Sequence, residues 1–296
     1  MSLDFDSARL PNRNLTSEHH EWRAQLRRFF DREVIPFAAQ WDEDGSIPSE
    51  LWPKAAAVGI LGLGYPEAYG GVSDGIDIWH KNILNEELAR IAVGGVSATL
   101  MVHGIGLPPV INFASEAIKS EVAPQVLAGT KRISLAITEP GAGSDVAHLS
   151  TTACLDGDHY VVNGAKTYIT GGMNANWFTT AVRTGGEGAG GVSTLLIAAD
   201  APGVSRTALD KKQGWWCSDT ATIYFDNVRV PVSHLIGEEN RGFKVIMNNF
   251  NAERMGMSAA MEAFSRVCLE DAVQWARERQ TFGQRLADHQ VIRHQI

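Results

Sequence analysis

The hydrophobic pattern changes its period twice along the chain, and this constrains the fold more than any other feature of the sequence. Up to about residue 130, apolar residues recur at intervals of three and four, as in amphipathic helices. Then short apolar runs alternate with Gly-containing turns, as in strands, until the helical pattern returns at Arg241. The sequence predicts an α+β protein with an N-terminal helical domain (1–130), a middle β-sandwich or barrel (131–240) and the start of a C-terminal helical bundle (241–296).

Capping residues and prolines predict where the N-terminal helices begin and end. The first helix is predicted to begin at Ser17 and to end near Pro36, which cannot continue the hydrogen-bonding pattern. A second is predicted with Ser49 as its N-cap and Gly59 near its C-terminus. Further helical patterns cover 78–88 and 115–129, with a loop at 65–75.

Turn residues divide the middle region into strands. The pair Asp156-Gly157 predicts a hairpin turn between two β-rich runs. Three more strands are predicted at 177–183, 192–199 and 221–230, with no long helix between them. One long helix is predicted from Arg241 to about Gln280, followed by a turn at Phe282-Gly283.

Charge and cysteine usage exclude several classes of protein. The net charge of -8 argues against a nucleic-acid-binding protein, which needs a basic face. The three cysteines are far apart, with no CxxC pair and no histidine cluster at metal-ligand spacing, which predicts free thiols and no metal. No apolar run approaches the ~20 residues that span a bilayer, and the N-terminus lacks the pattern of a signal peptide. We therefore expect a cytoplasmic protein without a membrane partner.

The segment Lys131–Val146, KRISLAITEPGAGSDV, contains a strand that leads into a glycine-rich turn. Gly141 and Gly143 let backbone N–H groups approach a ligand, and Thr138 and Ser144 add hydroxyl groups. The turn lacks both the Lys-Ser/Thr ending of a P-loop and the third spaced glycine of a dinucleotide fingerprint. Turn chemistry alone leaves two interpretations open, an ordinary turn and a ligand-binding loop.

Three motifs in this order resemble those of the acyl-CoA dehydrogenase family: TEPGAGSD at 138–145, NGAKTYITGG at 163–172 and RERQTFGQRLADHQ at 277–290. The resemblance covers essentially the whole chain and implies that FAD is the cofactor. It implies that the flavin is lined by Leu135, Ile137, Thr138, Gly143, Ser144, Tyr168, Ile169 and Thr170. It also implies that the FAD of a neighbouring subunit is reached by Arg279, Thr281, His289 and Gln290.

Some features depart from the family pattern. Leu135 and Tyr168 stand where many relatives have an aromatic residue and a tryptophan, so ring packing on the flavin is expected to differ. On pattern alone, Tyr168 is equally well a strand residue facing the core, and Arg279 a solvated surface residue. Family members continue through further bundle helices, which implies that this sequence is either a piece of a longer protein or a shortened member.

One carboxylate interrupts the apolar face of the long helix. Glu253 is the only charged member of a stripe at alternating spacings of three and four, which comprises Phe243, Ile246, Phe250, Glu253, Met257, Ala260, Phe264 and Val267. A carboxylate facing a core costs several kcal/mol unless it is neutralised or hydrogen-bonded, so its presence needs a reason. The alternative is a surface glutamate beside Arg254.

The resemblance implies a role for Glu253. It stands where the isovaleryl and long-chain types of the family hold their catalytic base. By the same resemblance, Arg254 faces the CoA end of the substrate, Phe250 and Asn251 lie beside its pantetheine or nucleotide part, and Ser144 touches the substrate.

The implied function is α,β-dehydrogenation of an acyl-CoA, with an electron-transfer flavoprotein as acceptor and a homo-oligomer, a dimer of dimers, as the assembly. One alternative is a flavin oxidase or monooxygenase of the same architecture, acting on a substrate without CoA. Another is a chain that binds acyl-CoA, or a partner subunit, without holding flavin.

Overall fold

The structure is a computed structural model that describes residues 11–296, apart from the side chains of residues 251 and 252. Helices form its first part because apolar side chains recur on one face of each segment. Those faces pack in two cores. Residues 26–100 supply one, which includes Leu26, Phe30, Trp52 and Leu84, and residues 107–127 pack in the other with Ile133 and Leu196. Within residues 11–130 the helices are α1 (Ser17–Glu33), α2 (Ile35–Asp44), α3 (Leu51–Ala57), α4 (Ile78–Ala89), α5 (Gly94–Leu100), α6 (His103–Gly106), α7 (Pro108–Phe113) and α8 (Glu116–Leu127).

Val34, with φ -129°, interrupts the helical backbone between α1 and α2, close to the predicted end of the first helix. Pro36 does not stop the helical structure there: it lies in the first turn of α2, where its missing N–H is not needed. Phe37, which follows this interruption, is 49% exposed. Ser49 is not an N-cap, since Glu50 occupies that position and α3 has no side-chain cap.

The predicted helices at 78–88 and 115–129 are confirmed as α4 and α8, with Ser115 as the N-cap of α8. The sequence did not predict α5, α6 and α7, which have only seven, four and six residues. Segments this short do not complete enough turns to establish a period.

The middle region forms a seven-stranded mixed sheet with the order β1-β4-β2-β3-β7-β6, in which β5 pairs with β4. Side chains from both ends of this order meet in one core, so the sheet curls around it. The prediction of a β domain between two helical regions is therefore confirmed. The strands are β1 (Ile133–Ala136), β2 (Thr152–Asp156), β3 (His159–Thr170), β4 (Trp177–Arg183), β5 (Val192–Ala198), β6 (Val204–Ala208) and β7 (Thr220–Pro231).

Two details of the strands differ from the prediction. In the β2–β3 hairpin Asp156 pairs with His159, so the two turn residues are Gly157 and Asp158, one position later than predicted. Gly157 has φ +62°, the backbone region that glycine adopts without strain. The short edge strand β6 was not predicted.

After the sheet, α9 (Gly242–Glu278) runs for 37 residues, which corresponds to roughly 55 Å. The predicted long helix is therefore confirmed. Its first part packs against α4, α7 and β5. Phe282-Gly283 forms the predicted turn between β8 (Gln280–Thr281) and β9 (Gln284–Arg285), and α10 (Gln290–Gln295) follows.

Among the described residues, no single helix has the length and apolar composition needed to cross a membrane. One bent pair of helical segments, Gly94–Leu100 with His103–Phe113, has that length and composition only when the two segments are taken together.

Candidate active site

A cavity of about 430 Å³ lies between the helical domain and α9. One wall comes from α4, another from α6 and α7, and a third from the loop that follows α3. The fourth wall is α9, which contributes Asn248, Asn249 and Glu253. The site is thus assembled from segments that lie almost 200 residues apart in the sequence.

Glu253 is a partly buried carboxyl group on this wall. Burial raises its pKa to about 7, and the nearby charge of Arg254 opposes this shift only in part. Asn249 donates one hydrogen bond to Glu253 Oε1 and another, of 3.0 Å, to the carbonyl oxygen of Ile105. A carboxylate with this pKa, held by a fixed amide, is able to accept a proton at neutral pH.

From Phe243 to Glu253 the apolar stripe of α9 is buried or partly buried. Phe243, Ile246 and Phe250 pack in one cluster with Leu135 and Ile137 of the β domain. The structure therefore brings residues predicted to line the flavin next to one predicted to lie beside the substrate.

At Met257, one turn beyond Glu253, the expected burial of the stripe is wrong. Met257 is 63% exposed, and Ala260, Phe264 and Val267 are only partly buried. Spacing along a helix defines a face, but only neighbouring segments decide how much of that face is covered.

Arg254 is exposed, and its guanidinium carbon lies 5.8 Å from the centre of the Phe250 ring. This separation is within the range of a cation–π interaction. Two of the predicted substrate residues therefore contact each other at the edge of the site. The side chain of Asn251, also predicted there, lies outside the described residues.

A buried ion pair that sequence reasoning missed fixes the base of the loop 138–145. Lys166 of β3 is fully buried, and its Nζ lies 2.7 Å from Glu139 Oε1 and 3.0 Å from the carbonyl oxygen of Ile137. Glu139 also accepts hydrogen bonds from the backbone N–H groups of Ser150 and Thr151. The available signal was the alternation of β3, which places Lys166 on the inward face beside valine and tyrosine positions.

The pKa values show that this pair is ionised. Burial alone would raise the pKa of Glu139, but the charge of Lys166 and the hydrogen bonds hold it at about 2. Burial lowers the pKa of Lys166 to about 8, although Glu139 opposes that shift. Both partners therefore carry charge at neutral pH.

The tip of the same loop is open. A Cβ added at Gly141 or Gly143 would meet no atom within 4 Å. In the part of the chain that the structure describes, the N–H groups of Gly143 and Ser144 make no hydrogen bond. Thr138, at the start of the loop, is tied to β3 by a 2.8 Å hydrogen bond from the Thr167 N–H. Free N–H groups on a fixed base suit an anionic or carbonyl-bearing ligand such as FAD.

Tyr168 projects outward next to this loop. It is 69% exposed and has φ +58°, within an irregularity of the β3–β7 pairing between Lys166 and Ile169. The interpretation of Tyr168 as a core-facing strand residue is therefore wrong. Ile169 lies in the β core at 2% exposure, which leaves only its backbone for a ligand, and Thr170 is partly buried.

The remaining predicted cofactor residues lie far from the cavity. Arg279 follows the end of α9, roughly 38 Å along the helix from Glu253. Thr281 Oγ1 lies 3.2 Å from His289 Nε2, and Gln290 is exposed nearby. One chain therefore does not bring these residues to its own Glu253.

A separate cluster of His19, Asp77 and His80 has the residue types of a metal site. Asp77 caps α4 by accepting hydrogen bonds from the N–H groups of Trp79 and His80. His19 Nδ1 accepts from the Thr16 N–H, so its proton is on Nε2, which donates to Asp77 Oδ1 at 3.0 Å. Helix capping accounts for this network without an ion.

Comparison with known proteins shows three consecutive family matches. The models of the acyl-CoA dehydrogenase N-terminal, middle and C-terminal domains match residues 16–130, 134–228 and 240–296.

Individual relatives match most of the chain. The acyl-CoA dehydrogenase AFT10-1 of Alternaria alternata is 38% identical over 97% of this chain and 69% of that relative. A crystal structure of a probable acyl-CoA dehydrogenase from Mycobacterium abscessus is 46% identical, with a TM-score of 0.91 over 95% of this chain and 74% of that one. A glutaryl-CoA dehydrogenase from Mycobacterium smegmatis in complex with FADH2 is 26% identical, with a TM-score of 0.86 over 95% of this chain and 70% of that one.

Proposed function

Because the chain belongs to the acyl-CoA dehydrogenase family, we propose that it oxidises an acyl-CoA thioester to the trans-2-enoyl-CoA, with FAD as cofactor and Glu253 as base. The observation that carries this proposal is the position of Glu253: its carboxyl group lines a cavity of about 430 Å³ and has a pKa raised to about 7.

Glu253 would take the proton from the α-carbon of the acyl group. FAD, when bound, would supply the acceptor for the hydride that leaves the β-carbon, so that two C–H bonds break while the carbon–carbon double bond forms. Asn249 holds the carboxyl group in place, and burial makes it a stronger base than an exposed glutamate.

The β domain and the start of α9 would hold the cofactor. Support comes from the open tip of the loop at Gly143 and Ser144, the exposed Tyr168, and the cluster that joins Leu135 to Phe250. Thr138, Ile137, Ile169 and Thr170 would complete the flavin contacts. The base of the loop is rigid because Lys166 and Glu139 fix it from inside.

The CoA part of the substrate would lie along α9, where Arg254 offers a fixed cation. Ser144 and Asn251 are proposed to contact the substrate as well, and an electron-transfer flavoprotein is proposed as acceptor. The distance of Arg279, Thr281, His289 and Gln290 from Glu253 fits a homo-oligomer in which they reach the FAD of a neighbouring subunit. We also propose that the domain boundaries lie at residues 130 and 240.

The test is anaerobic reduction of the flavin by acyl-CoAs of several chain lengths. We expect a yellow protein that is bleached by at least one acyl-CoA. Glu253→Gln should keep flavin and CoA binding but slow bleaching by ~10²- to 10⁴-fold, as is typical for loss of a general base. Glu262→Gln is the matched control, because Glu262 lies on the same helix but pairs with Arg266 at the surface.

Other outcomes would favour the alternatives. A yellow protein that no acyl-CoA bleaches would support an oxidase or monooxygenase. A colourless protein that binds CoA esters would support the flavin-free chain. Bleaching of Glu253→Gln at the normal rate would show that Glu253 is not the base.

A further inference from the structure

A lysine lies at the rim of the cavity beside Glu253. Lys81 of α4 lines this cavity together with Leu84 and Asn85, which lie on the same face of the helix because they follow it by three and four residues. Among the described residues of the lining, Lys81 is the only lysine or arginine and Glu253 is the only carboxylate. Lys81 is exposed, so its ammonium group lies where the cavity opens to solvent.

The end of the Lys81 side chain lies against the loop that follows α3. A Cβ atom added at Gly64 would be 2.8 Å from Lys81 Cε and 3.1 Å from Lys81 Nζ. Gly64 also lines the cavity, and its φ of +78° is one that glycine adopts without strain. The absence of a side chain at Gly64 therefore lets the ammonium group lie against the cavity wall.

Lys81 makes neither an ion pair nor a hydrogen bond with any residue that the structure describes. By contrast, Lys54 Nζ lies 2.6 Å from Glu33 Oε2. The side-chain amide of Asn85, one turn further along α4, makes no hydrogen bond with a described residue either. The rim of the cavity thus offers an ammonium group and an amide N–H group to a ligand that accepts hydrogen bonds.

The cavity wall connects Glu253 with Lys81 by way of Tyr65. Burial raises the pKa of Tyr65, and the charge of Glu253 raises it further, so the Tyr65 ring lies within electrostatic reach of this carboxyl group. Gly64, against which the Lys81 ammonium group lies, precedes Tyr65 in the chain. Burial raises the pKa of Glu253, and the charge that opposes this shift is that of Arg254 and not that of Lys81. Lys81 therefore lies on the same cavity as Glu253 but too far away to act on the reacting atoms.

An alkyl chain that filled the cavity would displace water from the Lys81 ammonium group without replacing its hydrogen bonds, which is unfavourable. Resting on the proposed function, we infer that the acyl group carries a carboxylate at the end remote from the thioester, and that Lys81 binds it. A carboxylate accepts hydrogen bonds from both an ammonium and an amide group, and a bond between two charged groups is the stronger kind. The substrate class is then the mono-CoA esters of dicarboxylic acids, and Lys81 is a specificity-determining residue.

The test uses the mono-CoA esters of adipic, suberic and sebacic acid, which differ in length and have unsubstituted α- and β-carbons. Each is compared with its ω-amide, which has nearly the same shape but no charge. For the FAD-loaded chain we expect kcat/KM for flavin reduction to be about 5- to 50-fold higher for the carboxylate of at least one length, between the effect of an exposed ion pair and that of a hydrogen bond to a charged group. Added salt should reduce this ratio, because Lys81 is exposed.

A second readout does not depend on flavin reduction. S-Alkyl thioethers of CoA with the same terminal carboxylate or amide lack the carbonyl group that makes the α-proton acidic, so they bind without reacting. Calorimetry should show a lower Kd for the carboxylate by a similar factor.

Lys81→Met removes the charge but keeps the length of the side chain. It should bring both ratios close to one, by weakening the use and binding of the carboxylates and not of the amides. Lys81→Arg keeps the charge and should keep a preference for the carboxylate. Lys119→Met is the matched control, since Lys119 lies on α8 and does not line the cavity. This variant should keep the wild-type ratios.

The outcomes separate this inference from the proposed function. Amides that are used and bound as well as the carboxylates at every length overturn the inference alone. A carboxylate preference that survives in Lys81→Met does the same, as does an equal loss with both members of each pair, which would place Lys81 at the CoA part of the substrate. Absence of flavin reduction with any acyl-CoA overturns the proposed function, whereas the ratio for the thioethers still decides whether Lys81 binds a carboxylate.

Discussion

Glu253 makes stability depend on pH in the opposite direction from an ordinary ion-paired carboxylate. Its pKa is raised from 4.5 to about 7, so the folded state binds its proton more tightly than the unfolded chain does. Stability should therefore fall as the pH rises from about 4.5 through 7. Glu253→Gln removes this cost, which is up to ~3 kcal/mol at pH 8 and much smaller at pH 5.

Urea unfolding of both proteins at pH 5 and pH 8 measures the effect. The variant should gain more stability at pH 8, while the rate of flavin reduction by the wild type should rise with pH through about 7. An equal stability difference at both values would mean that the carboxyl group is not buried as described.

The Lys166–Glu139 ion pair makes stability depend on pH in the opposite direction from Glu253. The pKa of Glu139 is lowered to about 2 in the folded state. The stability that Glu139 contributes is therefore fully present above the pKa of this group in the unfolded chain, and it is lost as the pH falls toward 2. Lys166→Met leaves a buried carboxylate without its partner, which should cost ~3 to 5 kcal/mol.

The double variant Lys166→Met/Glu139→Gln should recover part of this loss, because no unpaired charge remains. The exposed pair Arg229–Asp156 is the control, and Arg229→Ala should cost at most ~1 kcal/mol. Chemical denaturation of the wild type and of these three variants gives the free energies of unfolding that are compared. If Lys166→Met is no worse than Arg229→Ala, the pair does not hold the base of the loop.

At the scale of elements, the start of α4 is fixed by a cap that also joins α4 to α1. Asp77 accepts from the first turn of α4 and from His19 of α1. These hydrogen bonds hold the pKa of Asp77 well below its usual range, and the one from His19 has the largest effect. The cap should therefore weaken as the pH falls below about 4.

Asp77→Ala should therefore lower Tm by a few degrees at pH 7 and by less at pH 3. Ser49→Ala is the matched control, since the sequence suggests a cap there but α3 begins without one. It should leave Tm unchanged in a thermal scan. Equal effects of the two substitutions would mean that the Asp77 cap contributes nothing.

At the scale of the whole molecule, the part of α9 beyond Glu253 exposes large apolar side chains. Met257, Met261 and Trp275 are 63%, 53% and 60% exposed, and Phe282 just beyond the helix is 97% exposed. Exposed apolar rows are typical of protein–protein contacts, and we predict that a homo-oligomer covers this one.

Sedimentation should therefore show an oligomer, with a tetramer expected. Met261→Glu/Trp275→Glu should shift the distribution toward smaller species and reduce flavin occupancy. Leu155→Glu, at an exposed site on β2, should change neither. A wild-type monomer with full flavin occupancy would refute the proposed assembly.

The sequence by itself determined the order of helical and β regions, the long α9 and the β2–β3 hairpin. Each of these depends on a period or a turn residue within a short window, so local physical chemistry is sufficient. It also marked Glu253, because one charge in an apolar stripe stands out without any knowledge of the neighbours.

Only the tertiary structure decided what surrounds these features. The cavity is lined by α4, α6, α7, α9 and the loop that follows α3. No local sequence pattern predicts which of these segments meet. The partner of Lys166 and the outward direction of Tyr168 likewise depend on contacts between distant segments. Periodicity assigns a side chain to a face, but burial, hydrogen bonding and pKa depend on what the fold places against that face.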